Sequence, residues 1–463
     1  MSQSVSKDPL TLESALRDLD LHPQAAEIDL LACDLNGILR GKRIPRDALG
    51  KIFSDGLKMP RSVLCLDIWG HDAHDNGLVW ESGDGDGACK PCGEGLVPVP
   101  WSARPRLQML TMMRNLDGSP FACDPRQALA SIVRRFHALG LTPVVASELE
   151  FYLMAGDSAG EGTPRPPRAP KSGYTLDAPR VYALDELDEF DAVLSAIRDA
   201  CAAQNLPSEA ISVENGRGQF EVNLLHVADP LIAADHAVML RRAVRGVARA
   251  HGLHGTFMAK PYGDSAGSGL HVHCSLLDSE GRNVFDDGGE AGTDLLRSAV
   301  AGMIETMPEA MLTFAPNLNS YRRLLPGQHA PVTASWAYEN RTSALRIPAS
   351  GPKARRFEHR VAGADANPYL ALAAILAGAL HGIETNARPP APVSGNGYAD
   401  GAAAAPLPTT FETAVAAFEQ GKILRKYFGE PMMRAFGAVK RQEMEELRRR
   451  VTDVEYQTYL GFL

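Results

Sequence analysis

Glu148 and Glu150 stand two residues apart in "VVASELEFYL", an otherwise apolar stretch with the pattern of a β-strand. Residues two apart in a strand point to the same face. Two carboxylates on one face of an apolar strand repel and desolvate each other, so they need counter-charge. Further acids and histidines follow in "VENGRGQFEVN", "GSGLHVHCSL" and "RRFEHR". Together they point to a divalent-metal site that works on phosphate.

His271 and His273 alternate in "LHVHCSL", so a strand there aims both the same way. Glu214 and Glu221 flank "NGRGQF", whose glycines allow a tight turn between strands. Glu358 sits among bases in "RRFEHR". Singly, each glutamate reads as a solvated strand face and each histidine as a core or surface residue. That reading weakens when so many fall in apolar or glycine-punctuated strands. Oxygen-dominated ligation suits Mg²⁺ or Mn²⁺ better than structural zinc.

Arginines suited to phosphate occur in three segments: Arg322 and Arg323, Arg341 and Arg346, then Arg355, Arg356 and Arg360. Guanidinium forks match phosphoryl and carboxylate oxygens in bidentate geometry. Scattered arginines are ordinarily surface ion pairs, so spacing alone selects none of them. No GxxxxGK(S/T) loop occurs, which excludes a P-loop fold. A carboxylate cluster with dispersed arginines describes phosphoryl transfer.

The 463 residues, 45% hydrophobic, suffice for a large core and more than one domain. With 47 basic against 56 acidic residues, the net charge of −9 gives no electrostatic case for nucleic acid or an anionic membrane. Seven scattered cysteines argue against a disulfide framework. The lone Cys89-x-x-Cys92 reads as ordinary thiols in a glycine-rich loop rather than a zinc or redox site. The amino terminus lacks the regions of a signal peptide, and the apolar run Leu370–Leu380 is shorter than the roughly 20 residues that cross a bilayer. A cytoplasmic enzyme is expected.

The pattern predicts a helix over Thr11–Leu19 and a strand, Asn-Gly turn and strand over Ile28–Pro45. Gly83–Gly95 reads as loop. Asp124-Pro125 opens a helix that stops at Gly140. Ala155–Tyr174 reads as an exposed insertion or hairpin loop. A helix near Asp188–Gln204, strands near Ile211–Glu214 and Gln219–Asn223, and a helix over Ala233–His251 follow. Pro389–Pro408 is a flexible tract, and the tail from Phe411 is mostly helical. Helices mixed with short strands indicate an α+β fold.

The segments "ACDLNGILRGKRIP", "CDPR", "SELEFY", "ENGRGQFEVN", "GTFMAKPYGDSAGSGLHVHCSL", "NSYRRLLPG", "ENRTSALRIP" and "RRFEHRVAGADANPYLALAAILAG" resemble the glutamine synthetase superfamily, in family order over nearly the whole chain. The resemblance implies a small N-terminal β-grasp domain (1–121) and a catalytic domain (122–463) with a curved antiparallel sheet flanked by helices. It implies two or more Mg²⁺ or Mn²⁺ ions and ATP as co-substrate. Glu150, Glu214 and Glu221 would hold one metal, and Glu148, His271 and Glu358 the other. His273 and Ser275 would lie against ATP, and Arg341 and Arg346 would neutralise the transferring phosphoryl. Arg323, Arg360 and the Gly267–Gly269 backbone would clamp L-glutamate. The family's proteins form two stacked rings, usually hexameric, in which Asp34 would complete a neighbour's site.

Two departures bear on the acceptor. Glutamine-forming members carry a glutamate in the "PG-x-E-AP" flap, where this chain has "PGQHAP" and His329; and "NGSG" is here "AGSG", with Ala266. Losing a carboxylate weakens an ammonium trap. His329, with a reference pKa of about 6.5, either takes a proton from an incoming amine or fills the rim. The pattern resembles the γ-glutamylpolyamine (γ-glutamylputrescine) synthetase branch, with Trp336 and Trp69 as candidate channel walls and Asp67 and Asp72 as attractors of a distal ammonium. Ethanolamine or another monoamine, ammonium itself, a non-catalytic ring protein and an unrelated metallohydrolase are the alternatives.

Overall fold

The computed structural model of the chain describes residues 10–158, 164–176, 178–325, 327, 330–398 and 404–463. Its first sheet contains β1 (Glu27–Cys33), β2 (Leu39–Pro45), β3 (Leu57–Pro60), β4 (Asp86–Pro91), β5 (Val97–Pro98) and β6 (Leu107–Arg114). Their order is β2-β1-β6-β4-β3, with β5 on β6. The hairpin around Asn36-Gly37 forms as expected: Cys33 lies opposite Leu39, and Gly37 has φ +73°, a left-handed value that favours glycine. β6 runs parallel to β1 at the centre. The helix Leu49–Asp55 lies between β2 and β3 in sequence, which makes the arrangement grasp-like.

The Gly83–Gly95 stretch is not all loop, because it contains β4, an interior strand between β3 and β6. Its glycines conceal it. A Cβ at Gly87 would meet Met113 Cγ at 2.7 Å, so glycine makes room there for the side chain of the neighbouring strand. Cys89 and Cys92 are buried free thiols, as are the other five cysteines.

The second sheet carries β7 (Thr142–Ala155), β8 (Ser208–Val213), β9 (Gln219–Val227), β10 (Leu253–Thr256), β11 (Leu270–Leu277), β12 (Trp336–Tyr338), β13 (Leu345–Ile347) and β14 (Phe357–His359). The order is β12-β13-β14-β11-β7-β9-β8, with β10 on β7. All pairings are antiparallel except β12 with β13. Register shifts at Val145/Ser147 and Ser208/Ile211 interrupt the β7–β9 and β8–β9 ladders. Such irregularities bend strands and increase their twist.

Helix Pro125–Ala138 starts as its sequence predicts, with Asp124 accepting from the Arg126 and Gln127 amides. The other Asp124 oxygen accepts from Met113 N at 2.7 Å, which ties the helix to β6. The helix expected near Asp188–Gln204 is two, Leu184–Glu189 and Asp191–Ala203, meeting at buried Phe190. Helix Pro368–Thr385 is long and apolar enough to cross a membrane by length and composition, but every residue of Leu370–Leu380 is buried. It packs closely on helix Asp294–Phe314: a Cβ at Gly302 would lie 2.2 Å from Gly378 O, and one at Gly382 would lie 1.8 Å from Ser298 O.

The first sheet is tied to the rest through buried polar groups. Glu443 Oε1 accepts from Asn36 Nδ2 at 3.0 Å and from Ile68 N at 2.8 Å, while Lys440 Nζ donates to Glu443 Oε2 at 2.8 Å. Lys440 and Glu443 are almost wholly buried. Such a pair holds because both charges are hydrogen-bonded.

A bulky residue at the helix crossing must push the two helices apart. Gly382→Val is expected to destabilise the fold by about 1–3 kcal/mol or more, read as a lower Tm. An unchanged Tm would mean that the crossing tolerates a wider spacing.

Candidate active site

The register of the second sheet assembles the acids. Glu148 on β7 lies opposite His271 on β11, and Glu150 lies opposite Glu221 on β9. His273 on β11 lies opposite Glu358 on β14. Glu214, just past β8, donates its amide to Gln219 O at 2.8 Å, which closes the turn into β9. Four strands therefore bring together side chains spread over more than 200 residues.

Two groups of ligand atoms converge within 4.8 Å: Glu148, His273 and Glu358, and Glu148, Glu221 and His271. The grouping differs from the expected one. Glu148 serves both sets, and His273, expected at ATP, stands with Glu358, on which the charges of both His271 and His273 act. The strand register is the reason, since it sets His271 across from Glu148 and His273 across from Glu358. Glu148 accepts from His271 Nδ1 at 3.3 Å and His273 Nε2 at 3.0 Å. Arg356 Nε lies 3.2 Å from His273 Nδ1. Because the guanidinium can only donate, that ring nitrogen accepts and Nε2 carries the proton toward Glu148.

The electrostatics suit a cation. Burial, then the charges of Glu148, Glu150 and Glu214, pushes the Glu221 carboxyl up to about 9. Burial and then Glu150 push Glu214 up to about 7. Burial also acts to raise Glu148, but the hydrogen bonds and charges of His271 and His273 outweigh it and hold that carboxyl far below the usual range. Burial is likewise outweighed at Glu358, where Arg360, His271, His273 and Arg346 bring it down to about 2. Clustered buried carboxylates whose charges oppose one another fit a divalent ion, and carboxylate oxygen with imidazole suits Mg²⁺ or Mn²⁺.

The arginines divide. Arg346 Nη1 donates to Glu358 Oε2 at 2.7 Å, and Arg360 bonds the other oxygen. Arg323 is buried and donates to Val361 O at 2.7 Å. Its side chain leaves no room for a Cβ at Gly267, which would lie 2.6 Å from Arg323 Cγ. Arg323 and the Gly267–Gly269 loop are thus in contact. Arg341 is exposed. Ser275 shares the β11 face of His271 and His273 and is half-buried.

One expectation fails and one cannot be placed. Asp34 is wholly buried within its own chain, accepting from Ile38 N at 2.8 Å and Arg40 Nε at 2.8 Å. It closes the β1–β2 turn. Burial outweighs those bonds and pushes its carboxyl up to about 6. Trp336 is also core, 3% exposed, with Nε1 donating to Pro390 O at 2.7 Å, so it walls no channel. His329 lies outside the described residues. Asp67, Trp69 and Asp72 line a separate groove of about 490 Å³ against helix Glu430–Arg449, which contains none of the clustered acids.

Tyr182 went unnoticed in the sequence. Its φ is +57°, uncommon for a bulky residue. Its amide donates to Val213 O at 3.1 Å, which sets it beside Glu214, and its side chain is 67% exposed. The charge of Glu214, then burial, pushes the phenol up. An exposed aromatic beside clustered acids has no periodicity to betray it.

Residues 122–459 match the model of the glutamine synthetase catalytic domain. The chain belongs to the glutamine synthetase family. It is 41% identical over 446 residues to the γ-glutamylputrescine synthetase PuuA of Escherichia coli K12, covering 96% of this chain and 93% of that protein. It is 31% identical to the γ-glutamylethanolamide synthetase GlnA4 of Streptomyces coelicolor, over 93% of this chain and 92% of that one. A glutamate–isopropylamine ligase of Pseudomonas sp is also 31% identical, over 94% and 95%. Among solved structures, a GmaS/ADP complex superposes with a TM-score of 0.83 at 28% identity, over 96% of this chain and 99% of that one. The relatives and the solved structure thus span the strands of both sheets.

The raised carboxyls give this site a pH signature. In the metal-free protein Glu214 and Glu221 hold protons up to about 7 and about 9, well above their unfolded values. The folded state therefore binds more protons than the unfolded one at neutral pH, and its stability falls as pH rises through that window. Binding of Mn²⁺ should release protons, and its rise in Tm should grow from pH 6 to pH 9. A Tm increment independent of pH would remove these two glutamates from the metal site.

Proposed function

We propose that the chain is an ATP-dependent ligase joining the γ-carboxylate of L-glutamate to a primary amine, with putrescine or another polyamine as acceptor. The observation that carries the chemistry is the strand register that sets Glu148 against His271 and Glu150 against Glu221. The likeness to a γ-glutamylputrescine synthetase over nearly the full length of both chains supports the acceptor.

Glu148, Glu150, Glu214, Glu221, His271 and Glu358 would hold the divalent ions, with His273 in the same cluster. When bound, these ions supply positive charge at the phosphates. The chain's own groups do the rest. Arg341 and Arg346 offset charge on the transferring phosphoryl, and His273 and Ser275 face the nucleotide. Arg323, Arg360 and the Gly267–Gly269 backbone orient glutamate. The γ-carboxylate oxygen attacks the terminal phosphorus of ATP, ADP leaves, and an acyl phosphate remains. A neutral amine then attacks that carbonyl carbon, the carbon–oxygen bond to phosphate breaks, and the amide forms with loss of the amine proton. Carboxylate oxygen is a poor leaving group, which is why activation precedes attack, and preorganised charge lowers both barriers.

Tyr182 offers the amine an aromatic face beside Glu214, which suits an alkylammonium chain. The domain division falls after Phe121, seven residues beyond β6. The subunits would assemble as two stacked hexameric rings with sites between them, in the cytoplasm, where seven free thiols persist. The C-terminal segment supports assembly: residues 451–463 are all exposed and carry Val454, Leu460 and Phe462, at 68%, 78% and 86% exposure. Exposed apolar side chains gathered in one short segment are the kind of surface that an interface covers.

ADP release with L-glutamate, ATP and Mg²⁺, measured against ammonium, ethanolamine, monoamines, diamines, spermidine and spermine, tests the reading. Preference for a diamine or polyamine is expected, and preference for ammonium or a monoamine would overturn the acceptor. Tyr182→Ala should lower kcat/KM for the preferred diamine by about tenfold relative to ammonium. An unchanged ratio would place acceptor choice elsewhere.

A further inference from the structure

Gln219 opens β9 and is 1% exposed. Its Nε2 reaches three acceptors: Glu150 Oε2 at 3.0 Å, Gly267 O at 3.1 Å and Ser268 Oγ at 3.4 Å. A carboxylate and a carbonyl can only accept, so chemistry decides which end of the amide faces them. The same Glu150 oxygen also receives Gly269 N at 2.9 Å. One carboxylate oxygen is therefore bonded to the far end of the Gly267–Gly269 loop directly, and to its near end through Gln219.

The surroundings are shaped for this link. A Cβ at Gly216 would lie 2.6 Å from Gln219 Oε1 and 1.9 Å from Tyr152 Oη, so only glycine admits both side chains. Tyr152 Oη in turn donates to Ala266 O at 2.6 Å, a second and independent hold on the same loop. A neutral amide also adds no charge to carboxylates that already repel one another, which a glutamate at 219 would do.

We propose that Gln219 is a positioning residue that couples metal occupancy at Glu150 to binding of the amino-acid substrate by the Gly267–Gly269 backbone. This rests on the reading above, in which that backbone receives L-glutamate. A cation drawing on Glu150 fixes the carboxylate, and the amide passes that constraint to the loop. Thermodynamic linkage makes the effect reciprocal: metal tightens glutamate by the factor by which glutamate tightens metal.

The test uses Mn²⁺ and the full-length protein, without turnover. Free Mn²⁺ is followed by electron paramagnetic resonance with and without L-glutamate, and glutamate binding by calorimetry. In the wild type, glutamate should tighten Mn²⁺ by about tenfold. Gln219→Leu should bring that factor close to one and weaken glutamate by about tenfold or more. Tyr152→Phe loosens the loop without touching Glu150, so it should weaken glutamate while Mn²⁺ affinity in its absence stays at the wild-type value. A merely structural role for Gln219 would not separate these two patterns. Should Gln219→Leu fail to fold, Gln219→Asn, which shortens the reach by one methylene, carries the same expectation. Wild-type coupling in the folded Gln219 variant would overturn the proposal alone. Absence of any glutamate binding to Mn²⁺-loaded wild type would overturn it together with the substrate reading on which it rests.

Discussion

Mutual repulsion among buried carboxylates is the constraint around which this structure is arranged. Glu148, Glu150, Glu214 and Glu221 come from three adjacent strands or their ends and face one another in a largely buried site, where charge is poorly screened. Burial with neighbouring negative charge lifts Glu221 to about 9 and Glu214 to about 7. The sheet that carries these residues is correspondingly rigid: β7 is paired along much of its length by β9 on one side and β11 and β10 on the other.

The site handles its charges unequally. Glu148 is satisfied by two imidazoles, and Glu358 by Arg346 and Arg360, so both stay ionised. Glu214 and Glu221 have no such cationic partners among the described residues. Glu150 stands between these cases, bonded by a side-chain amide and a backbone amide rather than by a charge. That difference makes it the natural point at which a metal is felt by the loop that would hold the amino acid. Glu150, Gln219 and the Gly267–Gly269 loop are thus one hydrogen-bonded unit.

Much of this was legible before any coordinates. The Asp124 cap, the Asn36-Gly37 hairpin and the strands carrying Glu148, Glu150, His271 and His273 depend on local chemistry: cap hydrogen bonds, left-handed glycine and two-residue alternation. The failures share a cause. β4 was hidden because its glycines serve packing against Met113 rather than a turn. Trp336 is a residue type that suits a site but fills the interior. Tyr182 sits beside Glu214 through one backbone bond to Val213, which leaves no pattern in the chain.

The amino-acid order alone determined that this chain carries a set of acids on strands of the kind that can hold a metal, belongs to the glutamine synthetase family and folds as α+β. These follow from short-range periodicity and from segments whose residue types and order recur as a set. Only the tertiary structure decided which acid meets which histidine, that His273 lies across from Glu358 in the sheet, that Asp34 is buried in its own chain, and that Gln219 joins Glu150 to the Gly267–Gly269 loop. The physical reason is register. Alternation along a strand says which face a side chain takes, but a side chain's neighbour across the sheet is set by the pairing of strands far apart in sequence, and one residue of slip would exchange every partner.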